Sequence, residues 1–291
     1  MLLLLGLAAG AFAFFPYRYY LTCGSSQPST LPAVVRVGLY EEFPAAERLA
    51  KLQTLDFPVS VAVTAASRQA FLELRQKILD GYPTVRAVYY WPVLPVEAGY
   101  YGGPLSQSQA LQRAAAETEG LPTLWDLELP RAPARPAWGD FLDNRAYLDR
   151  WLKTRTAPTH IWRSATWLGL DSGLLRLAGL HYDPLDYGQV SLHLDLYTTG
   201  GGLPPDLLAT ILRCGVERYG ERFIPAFGVL NDGAGAPDLY VPAATLERDL
   251  VLARAAGVSE VWIFGVNGLN DEYLAALHAA LPLETFVNAG E

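Results

Sequence analysis

The chain has 291 residues, of which 51% are hydrophobic and 18% charged, and its formal net charge is -8. This composition excludes an intrinsically disordered chain, which would be poorer in apolar residues and richer in charge. It also argues against a general nucleic-acid-binding protein, because there is no excess of basic residues to neutralise phosphates. The length suits one large domain or two ordinary ones. The two cysteines are too few for a disulfide framework or a cysteine-based zinc site.

The first 15 residues form one apolar run. It has the length of a signal-peptide core and is shorter than a membrane span of ~20 residues. We therefore expect residues 1–31 to be an export signal or membrane anchor plus a polar tether, and the protein to be extracytoplasmic. Cys23 opens the tether CGSSQPST, which leaves a lipoprotein as an alternative. Cys214 lies in a helical apolar pattern, where we expect a small buried side chain.

A unit of about 30 residues recurs from Pro32 to the end of the chain: a short β-branched run, a polar loop and a helical pattern. The eight predicted strands cover residues 34–40, 59–64, 85–91, 121–128, 160–166, 190–197, 223–229 and 258–266. The eight predicted helices cover residues 45–52, 68–79, 110–117, 141–153, 173–180, 206–219, 243–257 and 271–281. Helix starts are indicated by Ser67, by Asn270 and by a capping box of Ser106 with Gln109.

Strict alternation of strands and helices predicts an α/β fold, and strands that are apolar on both faces predict a parallel sheet covered by helices. Eight units favour one closed (β/α)8 TIM barrel over residues 32–291. An open doubly wound sheet would be expected to carry a glycine-rich turn after the first strand. Here that turn runs from Tyr40 to Pro44 and contains no glycine.

The functional site of such a barrel lies at the carboxyl ends of its strands. The residues predicted there are mostly acidic, aromatic or amide-bearing, and include Glu41, Glu42, Trp91, Asp126, Glu128, Asp195, Tyr197, Asn231, Asp232 and Asn267. A phosphate site would be expected to contain Arg or Lys, or a bare helix N-terminus. The predicted partner is therefore a carbohydrate, with Glu42, Trp91, Asn231 and Asn267 among its contacts.

Asp126 and Glu128 form the sharpest local feature, because side chains two residues apart on a strand share a face. Two close carboxylates repel each other as anions, which raises the pKa of one of them and retains a proton near neutral pH. A general acid is made in this way. The alternative is structural: the pair caps the next helix or binds Arg131.

The sixth predicted strand places Ser191, His193, Asp195 and Tyr197 on one face. A polar face on a parallel strand indicates either a site or a buried polar network inside the barrel. We expect Asp195 to reach the site, and His193, which lies lower on the strand, to belong to the core or to support other residues. His181 and Asp183 could add metal ligands, but zinc sites usually need several histidines or cysteines, so neither a metal nor another cofactor is predicted.

This pattern resembles the barrel-type glycoside hydrolases, and most closely the family 18 chitinase-like barrels. The likeness rests on the Asp-x-Glu formed by Asp126 and Glu128 at the end of strand 4. It implies that Glu128 protonates the glycosidic oxygen, that Asp126 orients the acetamido group, and that Tyr197 and Trp262 bind the sugar. The two further Asp residues of the family motif are replaced here by Leu121 and Leu124.

Three functions remain open at this point. The first is an exported glycoside hydrolase that uses Glu128 as acid, or a strand 4 carboxylate together with Asp195. The second is a non-catalytic barrel that binds carbohydrate or cell wall, which the two leucines favour. The third is a metal-assisted phosphodiesterase.

Overall fold

The computed structural model describes residues 23, 31–128, 138–163, 173–197, 203–228, 230 and 240–284. Its eight strands are all parallel to their neighbours and close into one barrel in the order β1 to β8. The strands are β1 Arg36–Glu41, β2 Val59–Ala65, β3 Val85–Pro92, β4 Thr123–Asp126, β5 Thr159–Arg163, β6 Val190–Asp195, β7 Phe223–Phe227 and β8 Glu260–Phe264. The predicted single barrel is therefore confirmed, and no open edge remains between β1 and β8.

A helix follows each strand within the described ranges. These helices are α1 Ala46–Leu49, α2 Arg68–Gly81, α3 Ser108–Glu117, α4 Trp138–Lys153, α5 Gly173–Leu177, α6 Pro205–Tyr219, α7 Ala243–Ala255 and α8 Asp271–Ala280. Ser67 and Asn270 cap α2 and α8 as predicted, each accepting a backbone N–H. The predicted capping box at Ser106 is wrong, because α3 begins two residues later and the Ser106 hydroxyl donates to the carbonyl of Tyr101.

Aromatic side chains fill much of the barrel interior, where branched aliphatic residues are usual. Interior and exterior positions alternate along each strand. The buried interior cluster contains Tyr40, Ala62, Trp91, Leu124, Trp162, Ile224, Ala226, Trp262 and Phe264. The outer face of the sheet carries the aliphatic residues that pack against the helices, such as Leu39, Val61 and Leu192.

The contact between Gly38 and Trp262 allows β1 and β8 to close the ring. The two residues are paired in the β1–β8 register, and a Cβ at Gly38 would lie 2.0 Å from the Trp262 ring. The Trp262 indole N–H donates to Glu260 at 2.7 Å, and Arg36 donates to the other oxygen of Glu260 at 2.9 Å. A side chain at Gly38 would therefore displace a fully buried ring at the seam.

Cys23 and Cys214 form a disulfide that attaches the N-terminal segment to α6, and their Cα atoms are 5.3 Å apart. Cys214 is buried as predicted, but it is not a free thiol. The lipidation alternative for Cys23 is contradicted, because a sulfur in a disulfide cannot also carry a lipid thioether. No helix in the described residues is long and apolar enough to cross a membrane. Residues 1–15 lie outside the described ranges, so the signal or anchor stays a prediction.

Replacing Gly38 by alanine should lower the free energy of unfolding by more than about 3 kcal/mol, above the ~1–3 kcal/mol of ordinary overpacking. The reason is the 2.0 Å approach of the new Cβ to Trp262. Denaturant unfolding measures the loss. Gly188→Ala is the control, because a Cβ there meets nothing within 4 Å, and its effect should stay within about 0.5 kcal/mol. The double variant Gly38→Ala with Trp262→Phe should recover part of the loss; equal stability of Gly38→Ala and wild type would contradict the seam contact.

The double substitution Cys23→Ser with Cys214→Ser should lower the free energy of unfolding by about 2–5 kcal/mol, because a closed loop restricts the unfolded chain. The loop spans a sequence separation of 191 residues. Unfolding curves recorded with and without reductant measure the effect: reductant should weaken wild type to the level of the double variant and leave the double variant unchanged. Two titratable thiols in native, unreduced wild type would show that the disulfide is absent.

Candidate functional site

Four acidic side chains from three elements meet at the carboxyl end of the barrel. Glu42 follows β1, Asp126 ends β4 with Glu128 two residues later, and Asp195 ends β6. We call these four residues the carboxylate cluster. Glu42, Asp126 and Asp195 are buried, whereas Glu128 is half-buried. The strand 4 pair and Asp195 therefore lie near one another in the structure, and their roles in a site stay predictions.

Asp126 lies at the centre of the carboxylate cluster and is 3% exposed. Its Oδ1 accepts the backbone N–H of Glu128 at 3.2 Å, which fixes the turn at the end of β4. Burial raises the pKa of Asp126 well above its usual range, and the negative charges of Glu128, Asp195 and Glu42 raise it further. A carboxyl group in these surroundings retains its proton at a pH where an exposed aspartate has lost it.

The indole N–H of Trp162 on β5 donates a hydrogen bond to Oδ1 of Asp195. This contact orients the Asp195 carboxyl group within the carboxylate cluster. Tyr197, two residues further along, lies partly exposed at the mouth, and its buried hydroxyl has no hydrogen-bond partner within the described residues. Burial raises the pKa of the Tyr197 hydroxyl, with further contributions from Asp195, Glu128 and Asp126. Tyr197 is therefore neutral and able to donate to a ligand.

Four buried aromatic rings pack against one another beside the carboxylate cluster, and we call them the aromatic floor: Tyr40, Trp91, Trp162 and Phe264. Tyr40 stacks on Trp162 with ring centroids 4.5 Å apart, and Trp91 lies 4.9 Å from Trp162. The Trp91 indole nitrogen is buried and lacks a hydrogen-bond partner in the described part of the chain. A buried N–H without a partner is rare in native proteins, so Trp91 is a donor available to a ligand.

The rim on the β1 side is held by two glutamates with different partners. Glu42 accepts a hydrogen bond from the Tyr100 hydroxyl at 2.6 Å. Glu41 accepts the backbone N–H groups of Phe43 at 3.0 Å and Asn267 at 3.3 Å, and pairs with Arg48 at 3.4 Å. Asn267, a predicted substrate contact, is half-buried and connects the loop after β8 to β1. Its side-chain role stays a prediction.

Below the aromatic floor lies a buried polar layer. The Tyr40 hydroxyl and His193 Nδ1 are 2.6 Å apart, and the His193 ring stacks on His160 at 4.2 Å. Both histidines are buried. The polar face of β6 therefore contributes both to the carboxylate cluster, through Asp195, and to a buried polar network in the core, through His193.

One predicted sugar contact lies below the mouth, and another falls outside the described residues. Trp262 is fully buried and lies one interior position below Phe264 on β8, and its ring packs against Tyr40, Tyr89 and His193. A stacking role would fit Phe264 better, because it is the β8 ring nearer the mouth. Asn231, together with Asp232, falls outside the described residues.

Sequence reasoning missed three members of the aromatic floor. Tyr40, Trp162 and Phe264 occupy alternate interior positions of β1, β5 and β8. Their place in the sequence could have indicated this, because each is the last or the second-last residue of its strand. Strand 5 was predicted to run to residue 166, so Trp162 was not expected near its end, whereas β5 is Thr159–Arg163 in the structure. Residues 164–166 lie outside the described residues.

Metal ligation finds no support in the described ranges, where no group of three or more His, Cys, Asp or Glu side chains is arranged to hold an ion. His181 and Asp183, which were considered as ligands, lie before β6 on the outer side of the barrel. His181 contacts Arg163, and Asp183 binds Arg176 at 3.1 Å and Arg218 at 2.9 Å.

Known structures share this architecture. No protein-family model matches the chain, and no curated protein matches it in sequence. Three similar solved structures are a chitinase from Chromobacterium violaceum (14% identity, TM-score 0.51), a GH18 chitinase from Pseudoalteromonas aurantia (11%, 0.51) and the C-terminal domain of a putative chitinase from Desulfitobacterium hafniense (11%, 0.54). The matches cover 84%, 84% and 86% of this chain, and 98%, 99% and 99% of those chains, respectively. At these identities the similarity establishes the fold alone.

Acidification should weaken the fold through His160, whose pKa burial lowers to about 4. In the unfolded chain the pKa is about 6.5. Between these values the unfolded state binds a proton that the folded state excludes, so the free energy of unfolding falls by roughly 3 kcal/mol as the pH drops from 6.5 to 4. Asp126 opposes this trend, because its folded pKa is raised and its contribution increases as the pH falls.

The variant His160→Phe isolates the histidine, because it keeps a ring against Tyr89 and His193 but does not titrate. Its unfolding free energy should depend less steeply on pH between 4 and 6.5 than that of wild type. His278→Phe is the control, since the side chain of His278 is 47% exposed on α8. Equal slopes for wild type and His160→Phe would show that His160 is already protonated in the folded protein.

Proposed function

We propose that this barrel acts on a carbohydrate as a glycoside hydrolase, with Glu128 as the general acid. The observation that carries the proposal is the meeting of Asp126, Glu128 and Asp195 beside the aromatic floor at the mouth of the barrel. Carboxyl groups supply the proton transfers of glycoside hydrolysis, and aromatic surfaces hold the apolar face of a sugar ring.

The two strand 4 carboxyl groups differ in their access to solvent, and this difference supports the roles proposed for them. Asp126 is buried and its Oδ1 is held by the backbone of Glu128, so it has little freedom to reach a substrate. Glu128 is half-buried and lies beyond the end of β4. The proposed step is therefore proton transfer from Glu128 to the glycosidic oxygen as the C1–O bond breaks, with Asp126 below it as a positioning residue.

Asp195 is proposed as the second carboxylate of the reaction. It lies on β6, is coupled electrostatically to Asp126, and is oriented by the indole N–H of Trp162. In this position it can stabilise the positive charge that develops on the sugar ring, or accept a proton from the attacking water. Tyr197 and Trp91 would then donate their unpartnered hydrogen atoms to sugar oxygens.

A non-catalytic carbohydrate-binding barrel is the second candidate function, and one observation favours it. Leu124 occupies the interior position directly below Asp126 on β4 and is fully buried. The chitinase-like motif has an aspartate at this position, so one of the polar partners expected below Asp126 is missing here. The aromatic floor and the unpartnered donors would serve binding equally well without bond cleavage.

Export of the protein is also proposed, with residues 1–31 as signal or anchor plus tether. The support is the disulfide between Cys23 and Cys214, because disulfides persist mainly in oxidising compartments such as the periplasm and the extracellular space. Attachment to a membrane would then occur through the apolar run and not through a lipid on Cys23.

The variant Glu128→Gln should lower the rate of hydrolysis by roughly 10²–10⁴, the contribution of a general acid, while sugar binding changes little. Product release from a panel of oligosaccharides, together with calorimetric binding, measures both quantities. Glu73→Gln on the exposed face of α2 is the matched control and should leave both unchanged. A wild-type protein that binds an oligosaccharide and cleaves none of the panel would establish the binding barrel; undiminished cleavage by Glu128→Gln would remove Glu128 as the acid.

A further inference from the structure

A cavity of about 470 Å³ lies on the flank of the barrel, away from the carboxylate cluster. Its lining comes from α4, from Arg176 on α5 and from residues 181–187, which lead into the start of β6 and therefore lie toward the lower end of the barrel. Sites for small molecules typically have volumes of ~300–1,000 Å³. What this cavity could hold depends on which of its charged side chains already have partners.

Two aspartates that line the cavity are matched by cations of the protein. Asp149 pairs with Lys153 on the next turn of α4 at 2.8 Å. Asp183 pairs with Arg176 at 3.1 Å and with Arg218 at 2.9 Å. These ion pairs hold α4, α5, α6 and the segment before β6 in place around the cavity, and they use the charges of both aspartates.

Arg145 differs from these cations, because no carboxylate pairs with it within the described residues. Its guanidinium group makes one hydrogen bond there, from Nη1 to the carbonyl of Leu177 at 3.3 Å, so Nε and Nη2 have no acceptor. The side chain is half-buried, and its stem lies close to Gly179, where a Cβ atom would be 3.4 Å from Arg145 Cγ. Tyr182 donates to the backbone carbonyl of Arg145 at 3.3 Å. A positioned guanidinium group with available donors therefore lines the cavity.

Asp186 is a carboxylate in the same cavity whose side chain makes no hydrogen bond or ion pair in the described part of the chain. It ends the 3₁₀ turn Pro184–Asp186 and is exposed. Arg145 and Asp186 come from different elements and form no ion pair with each other. Leu142, which is 60% exposed, adds apolar surface to the lining. A ligand that satisfies both charged groups needs an anionic group and a hydrogen-bond donor.

We propose that this cavity on the flank of the barrel binds a sugar acid, such as a uronate residue, with its carboxylate on Arg145. A guanidinium group binds a carboxylate through two parallel N–H donors, and Nε and Nη2 are the two that remain available. Ring hydroxyl groups of the same sugar would donate to Asp186, and Leu142 would cover part of its apolar face. The inference goes beyond the proposed function, because it uses neither Glu128 nor hydrolysis.

The charges of the cavity favour a sugar acid over three other ligands. A neutral sugar would leave Arg145 without an anion. Inorganic phosphate carries more negative charge than a carboxylate, so Asp186 would repel it more strongly. An α-amino acid has its two charged groups on one carbon atom, whereas Arg145 and Asp186 belong to separate elements that line a cavity of about 470 Å³. A sugar ring with several hydroxyl groups is better able to reach both.

The test is calorimetric titration of the full chain with two uronides, methyl β-D-glucuronide and methyl α-D-galacturonide, and with the matching neutral glucoside and galactoside. At least one uronide should bind about tenfold more tightly than its neutral counterpart, because a charge-assisted hydrogen-bonded pair is gained. Raising the salt concentration about tenfold should reduce this preference, since ions screen a half-buried charge. Acetate, alanine and inorganic phosphate are titrated in the same way and should bind more weakly than that uronide.

Variants of Arg145 locate the effect in this cavity. Arg145→Gln should abolish the preference for the uronide, and Arg145→Lys should keep part of it, because a lysine retains the charge but loses the paired donors. Arg150→Gln is the matched control, since Arg150 is exposed on the same helix and does not line the cavity. Circular dichroism establishes that each variant is folded, and should Arg145→Gln fail to fold, Arg145→Lys carries the comparison alone.

Three results would overturn the inference: neutral sugars that bind as tightly as both uronides, a uronide preference that survives Arg145→Gln, or acetate, alanine or phosphate binding at least as tightly as the uronides. Absence of binding by both uronides overturns it as well. The proposed function is decided separately, by cleavage of the oligosaccharide panel and its loss in Glu128→Gln. Arg145→Gln should leave any such cleavage of neutral oligosaccharides unchanged.

Discussion

The pairing of β1 with β8 is the constraint on which the rest of the structure depends. Only a closed ring brings the ends of β1, β4 and β6 around one opening, because in an open sheet of the same order β1 and β8 would be its two edges. The seam is tight: Gly38 has no side chain because the Trp262 ring occupies that space, and Glu260 binds both Trp262 and Arg36 across it. The positions of the strand ends at the mouth therefore depend on the contacts that pair β1 with β8 lower in the barrel.

The side chains inside the barrel differ in polarity and charge between the lower layers and the layer at the mouth. The lower layers hold buried aromatic and histidine rings that are neutral, since burial lowers the pKa values of His160 and His193. The upper layer holds acidic side chains, and burial raises the pKa of one of them, Asp126. Burying such groups costs stability, and a fold retains them where they have a function. Aliphatic packing between the sheet and the helices is the main source of stability that offsets this cost.

Much of the architecture could be predicted from the sequence, because it depends on local patterns. Alternation of β-branched runs with helical periodicity gave the eight strands, and the spacing of Asp126 and Glu128 indicated a shared face. The pairing of Cys23 with Cys214 could not be predicted, since it spans 191 residues and local pattern carries no information about it. The depth of Trp262 was also missed: the sequence pattern indicates that Trp262 lies on a strand, but the stagger between neighbouring strands decides how far along β8 the mouth begins. Ser106 failed as a cap because a tertiary contact with Tyr101 replaced the local one.

The electrostatics of the mouth bear on the proposed chemistry. Burial raises the pKa of a carboxyl group, and so do other anions that face it; Asp126 meets both conditions. Asp126 is buried and holds the backbone N–H of Glu128, whereas Glu128 itself is half-buried. In the proposed hydrolase, Asp126 would therefore fix the turn that carries Glu128, and Glu128 would deliver the proton. Asp195 comes from β6, so the two strands that supply the carboxyl groups of the proposed reaction meet only because the ring is closed.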